Sequence, residues 1–326
     1  MALLQLPQIN RNGLFEKIIC SIAESNLILS REYSRLFYFS FSMKKNIVYI
    51  LTLSAIVFSS CHRDKKTENN QGQSTGMDTI TVVDSAFRQM VRNEHMVLAT
   101  LFQQTAAEYR ALCYQAFNIG RFMLDADLAD KSVDQHRIIV LDVDETVLDN
   151  SPFQAKSVLN SSSYPDYWEA WCNFAKAEPL PGALEFLKYA RANGVSIFYV
   201  TNRKDNLKEA TIKNLQEKGF PHADAEHVIT RSAEASKEGR RQELLAKYHI
   251  SLLFGDNLND FAEDFEGKNV QSRFEAVDNA SNKFGTKFIV LPNAMYGDWE
   301  NALYGYNSRV SDSLRFEMRR KALKSF

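Results

Sequence analysis

The sequence predicts an α/β protein organised around a mostly parallel sheet, and three observations predict it. Residues 137–142 (RIIVLD) are a continuous apolar run ending in a carboxylate, the pattern of a strand buried on both faces. Similar runs recur at 195–201 (VSIFYVT), 251–255 (SLLFG) and 287–291 (KFIVL). Helical patterns separate the runs, and strands alternating with helices imply βαβ units. Ligands in such sheets sit at the carboxyl ends of the strands, which is where this chain collects its polar residues.

Composition agrees. The chain has 326 residues, 45% of them apolar and 24% charged, with 13 Gly and 7 Pro. That excludes a collagen-like, low-complexity or wholly disordered chain. A net charge of −1 provides no global basic field, so no nucleic-acid polymer is expected as a partner. Cys20, Cys61, Cys113 and Cys172 form no CxxC or CxxH pair, which argues against structural zinc. Cys113 and Cys172 are expected as buried thiols, a disulfide between them being the alternative that an oxidising compartment allows.

In chain order, Met43-Lys44-Lys45 opens a basic start, residues 46–58 (NIVYILTLSAIVF) are apolar, and Ser59-Ser60-Cys61 follows. This reads as a secretory leader over 43–60, its apolar run being shorter than the roughly 20 residues that span a bilayer. Residues 1–42 then read as an upstream extension of the gene model. The alternative is an anchor helix with an incidental cysteine. Residues 61–79 are polar and read as a flexible tether. Residues 80–135 read as two or three helices, with Met96, Leu101, Tyr109, Leu112, Phe117 and Phe122 expected in the core. From 136 to 326 the α/β pattern runs through, with an aromatic insertion at 153–180. Helices are expected at 181–192, after a Pro and before Gly194, at 206–218, stopped by Gly219, and at 242–248.

The chemistry-bearing residues cluster at the strand ends. Asp142 and Asp144, two apart in DVDET, point to one face while the chain stays extended. They repel each other unless a cation or shared proton intervenes. Thr201-Asn202-Arg203 ends the second strand with a hydroxyl and an amide suited to an anionic oxygen. Lys237 precedes a helix. The third strand runs into Gly255-Asp256-Asn257-Leu258-Asn259-Asp260, adding two carboxylates four apart. His62, His95, His136, His222, His227 and His249 show no ligand spacing and are assigned no catalytic role.

The order DVDET, Thr201, Lys237, GDNxxD resembles the four motifs of the haloacid dehalogenase superfamily, and two aspartates in the last motif resemble its DDDD phosphohydrolases. AEYRALCYQAFN (107–118), LDVDETVLDNSPF (141–153), TNR, GDNLNDF (255–261) and LPNAMYGDWE (291–300) look like class C acid phosphatases, bacterial outer-membrane lipoproteins acting as 5′-nucleotidases. The resemblance implies a Rossmannoid three-layer sandwich with a smaller helical cap. It implies an aspartyl-phosphate formed on Asp142, with Asp144 as acid and then base. Mg²⁺ would be held by Asp142, the Asp144 main-chain carbonyl and Asp256, with Asp260 behind it orienting a water or Lys237. Thr201, with Asn202 beside it, would bind phosphate oxygens, and Lys237 would neutralise Asp142 and the phosphoryl group.

By the same resemblance Trp168 and Tyr296 flank a nucleobase. A helix with core tryptophans at Trp168 and Trp171 is the plain alternative, and at most one of the two need face a ligand. Trp299 is expected in the core. The serine-serine-cysteine end of the leader resembles a lipobox, with Cys61 lipidated, which implies a membrane anchor in the bacterial cell envelope. Homodimers occur in the family. The readings to be separated are a nucleoside-monophosphatase, a broad sugar or small-monoester phosphatase, and a catalytically silent surface-binding lipoprotein.

Overall fold

The structure, a computed structural model, describes residues 93–326, which fall within one compact unit. The expected extension, leader and tether, Cys61 and the start of the helical region lie outside the described residues.

Two helices come first, α1 (Val97–Thr105) and α2 (Ala107–Ala129). β1 (Arg137–Leu141) follows, then a short antiparallel ribbon of β2 (Leu148–Asp149) with β3 (Glu178–Pro179). The ribbon brackets the aromatic insertion, which forms α3 (Ser151–Leu159) and α4 (Trp168–Phe174). Beyond it run α5 (Ala183–Ala192), β4 (Ser196–Lys204), α6 (Lys208–Glu217), β5 (Val228–Arg231), α7 (Glu238–Leu245), β6 (His249–Gly255), α8 (Val270–Asn279), β7 (Phe288–Val290), α9 (Asp298–Leu303) and α10 (Asp312–Ala322).

The main sheet has five strands in the order β5-β4-β1-β6-β7, all pairs parallel. β1 is central because its run is apolar on both faces. Ile139 and Leu141 pack with Ile197, Tyr199, Phe254 and the helices α2 and α5; Ile138 and Val140 pack on the other side with Phe198, Phe261, Phe265 and Phe288. The period-two split of one strand between two cores makes the three layers. The chain leaves β1 toward β4 and β5, then returns to the far side as β6 and β7. The carboxyl end of β1 is therefore the topological switch point, where a crevice opens.

Three expectations are corrected. Leu101, Leu112 and Phe122 are exposed, Phe122 by 74%: α1 buries Thr100 and Gln103 instead of Leu101, and only the Tyr109–Cys113–Phe117–Leu124 stripe of the long α2 enters the core. Trp299 is 45% exposed, its indole donating to the Tyr296 carbonyl at 3.2 Å instead of entering the core. β5 was not foreseen, since VITR is too short to show a period. Cys113 and Cys172 are buried free thiols, lifted to about 11 and about 12 chiefly by burial.

Candidate active site

Asp142 directly follows β1, its N–H held by the Phe254 carbonyl at 3.0 Å. The chain then turns, with the Val147 and Leu148 amides donating to the Val143 carbonyl. Asp142 and Asp144 therefore do not continue an extended strand. Both line one cavity, but they answer to different cations.

Asp142 faces Lys237, the residue preceding α7, whose ammonium donates to Asp142 Oδ1 and, at 2.7 Å, to Asp260 Oδ1. Asp260 ends a tight turn, Leu258–Asp260, closed by a capping box in which Asn257 N–H donates to Asp260 Oδ2 at 3.0 Å. Gly255 makes the fold-back possible, since a Cβ there would overlap the Asp260 carboxylate. Asp256 accepts from Asn293 at 2.7 Å and from Thr146 at 3.5 Å. Oxygens of Asp142, Asp256 and Asp260 come within 4.8 Å of one another.

Two carboxylates thus share one lysine, with Asp256 beside them. Burial, partly countered by Lys237 and reinforced by Asp260 and Asp144, pushes Asp142 up to about 7. Burial, reinforced by Asp260 and Asp142 and partly countered by the Asn293 hydrogen bond, raises Asp256 well above the carboxylate range. Burial opposes the charge on Lys237, but Asp142 and Asp260 outweigh it and its pKa rises.

Asp144 is held by Arg203. The guanidinium donates to Asp144 Oδ1 at 2.7 and 3.0 Å, and Asn150 adds a bond at 2.8 Å. β4 runs past Thr201 to Lys204, which buries Thr201 and Arg203 and exposes Asn202 between them. The Thr201 hydroxyl accepts from Arg203 N–H at 3.1 Å. Arg240 donates to the Thr201 carbonyl and the Asn202 amide oxygen, each at 2.7 Å.

The cavity measures about 520 Å³, and its lining includes Phe153, Tyr164, Trp168, Met295 and Tyr296. Trp168 lines it, whereas Trp171 turns its indole N–H to Asn150 at 2.7 Å. Tyr296 is fixed by its hydroxyl, which donates to Glu145. Glu145 is wholly buried with φ 56°, and burial with Asp144 nearby lifts it to about 8.

Residues 64–299 match the family described as HAD superfamily, subfamily IIIB (acid phosphatase). The chain belongs to that family.

The class C acid phosphatase of Bacillus anthracis is 48% identical, with a TM-score of 0.70 over 73% of this chain and 99% of that one. The same protein with tungstate bound matches equally. A stem 31 kDa glycoprotein of Glycine max is 26% identical over 52% of this chain, and acid phosphatase 1 of Solanum lycopersicum is 26% identical over 31%. The chain spans 62% and 39% of the length of these two plant relatives. Both the α/β fold and the phosphatase family read from the motifs agree with these likenesses. Sequence reasoning overlooked Arg203, Arg240, Glu145, Asn150 and Asn293 as site partners. The one available signal was a charged Arg203 two residues beyond a buried strand run, which needs a carboxylate to be tolerated.

Proposed function

We propose that the chain is a divalent-metal-dependent acid phosphatase hydrolysing nucleoside 5′-monophosphates. The observation carrying this reading is the group of three carboxylates, two of them paired with one buried lysine, that lines an aromatic-walled cavity. The donor set is all hard oxygen and carries excess negative charge, which fits Mg²⁺. Asp142, Asp256 and the Asp144 main-chain carbonyl would hold it, with Asp260 behind. Bound there, it supplies positive charge against the phosphoryl oxygens.

In the proposed reaction an Asp142 carboxylate oxygen attacks phosphorus in line. The bond from phosphorus to the ester oxygen breaks, and that oxygen leaves with its electron pair and takes a proton from Asp144. Water then attacks the aspartyl-phosphate, giving its proton to Asp144, and inorganic phosphate and the Asp142 carboxylate are released. Lys237 offsets the charge on Asp142 throughout. Thr201 and the amides around it receive the phosphoryl oxygens, a role consistent with tungstate, a tetrahedral oxyanion, binding the Bacillus anthracis relative.

Trp168 and Tyr296 line the same cavity, so a flat base between them contributes by stacking. Comparing turnover of AMP with that of glucose 6-phosphate, with Mg²⁺ and after chelation, tests the reading. Equal turnover of both moves it to a broad small-monoester phosphatase, and no turnover of either leaves a binding lipoprotein. We further propose lipidation at Cys61 and residence in the bacterial cell envelope. Fatty-acid labelling that survives Cys61→Ala would refute the anchor.

A further inference from the structure

The acid assigned to Asp144 is tied to the insertion helix α4 through one buried amide. Asn150 is fully buried where β2 passes into α3. Its Nδ2 donates to Asp144 Oδ1 at 2.8 Å and to Glu145 Oε2 at 3.4 Å. Its Oδ1 accepts from the Trp171 indole at 2.7 Å and from Arg203 at 3.3 Å. Two acceptors lie on one side and two donors on the other, so only one amide orientation satisfies the site. An aspartate of the same size would set a third carboxylate beside Asp144 and Glu145. Arg203 closes the loop, donating to Asp144 and lying 5.4 Å from the centre of the Trp168 ring.

The geometry points to Trp171 and Asn150 as positioning residues for Asp144: the indole N–H fixes the amide, and the amide fixes the carboxylate that protonates the leaving oxygen. The inference rests on the acid role proposed above for Asp144. It gives Trp171 a task distinct from that of Trp168, which meets the cavity directly. The placement fits that task. Trp171 is absent from the cavity wall, yet it stands two hydrogen bonds from the acid. The partly buried ring packs against the core on the α2 side of the sheet, so the donor is anchored by packing as well. Positioning of this kind matters because small displacements of a reacting group cost large factors in rate.

A leaving group's demand for a proton supplies the test. Glycerol 3-phosphate expels an alkoxide and needs the Asp144 proton, whereas 4-nitrophenyl phosphate expels a stabilised phenolate and scarcely needs it. The ratio of kcat/KM for the two substrates covers the steps through formation of the aspartyl-phosphate. Trp171→Phe keeps the ring packing and removes the N–H. It should lower kcat/KM on glycerol 3-phosphate on the order of tenfold and on 4-nitrophenyl phosphate less than about twofold. Asn150→Asp should skew the ratio in the same direction and further. Asp144→Asn serves as the reference, skewing the ratio most. If Trp171→Phe and Asn150→Asp scale both substrates equally, or leave both unchanged, while Asp144→Asn skews the ratio, the positioning role is overturned and the acid stands. If Asp144→Asn itself leaves the ratio unchanged, the acid assignment fails and this inference falls with it. Thermal unfolding of each variant identifies loss of fold, which would lower both rates together.

Discussion

The two ends of one sheet hold opposite kinds of carboxylate. At the amino end Asp127, on α2, accepts from Arg137 at 2.9 Å and Ser251 at 2.7 Å and pairs with His249 at 2.8 Å. Burial works to raise its pKa, yet the bonds from Ser251, His249 and Arg137 outweigh it, and Asp127 titrates below the ordinary range. At the carboxyl end Asp142 and Asp260 share Lys237 with Asp256 beside them, and Asp142 and Asp256 titrate high. The same residue type is satisfied at one end and left in excess charge at the other. Satisfied carboxylates hold elements together, whereas frustrated ones are poised for a cation or a substrate.

Substitutions should therefore divide by end. The largest effect is expected for Asp142→Asn, which should keep its fold and lose on the order of 10³-fold or more in kcat. Wild-type turnover by the purified variant would refute the nucleophile.

Next comes Asp256→Asn. Chelation should abolish wild-type activity and added Mg²⁺ restore it, while this variant should respond only at far higher Mg²⁺. Its carboxyl titrates above its unfolded value, so its charge costs the metal-free fold stability at neutral pH. The metal-free variant should then melt higher than metal-free wild type. A lower melting point would mean that the carboxylate stabilises the fold, as at the amino end.

Trp168→Ala should lose roughly 5–150-fold in kcat/KM on AMP, mostly in KM, and little on glycerol 3-phosphate. Equal losses on both would make the ring structural.

Asp127→Asn should do the reverse of Asp142→Asn, costing about 1–3 kcal/mol of stability with kcat held. A fall in kcat without a change in melting would erase the distinction between the ends.

The smallest effect is expected at His222. Burial, with His227, Arg191 and His136 nearby, lowers its pKa, Asp224 opposing. Its Nδ1 accepts from the Ile197 amide at 3.3 Å. A group whose pKa is depressed on folding contributes stability that is complete above the unfolded histidine value and is lost as pH falls from there through the lower folded value. His222→Asn keeps an acceptor and tolerates the φ of 53° there. It should flatten the decline in melting temperature below about pH 6.5.

The sequence by itself determined β1, β4, β6 and β7 but not the edge strand β5, because longer apolar runs are local patterns and VITR is too short to show one. It also singled out Asp142, Asp144, Asp256, Asp260, Lys237 and Thr201, of which all but the fully buried Thr201 line the one cavity, because strand ends in a parallel sheet converge on one crevice. Trp168 and Tyr296 were reached through family likeness, and both line the cavity. Only the tertiary structure decided which cation each carboxylate meets, since Asp142–Lys237 spans 95 positions and Asp144–Arg203 spans 59. It alone separated Trp168 from Trp171, which lie three residues apart on one short helix, and it alone moved Trp299 and Phe122 to the surface. Those outcomes depend on which faces of neighbouring elements happen to meet, and local periodicity carries no record of a partner distant in the chain.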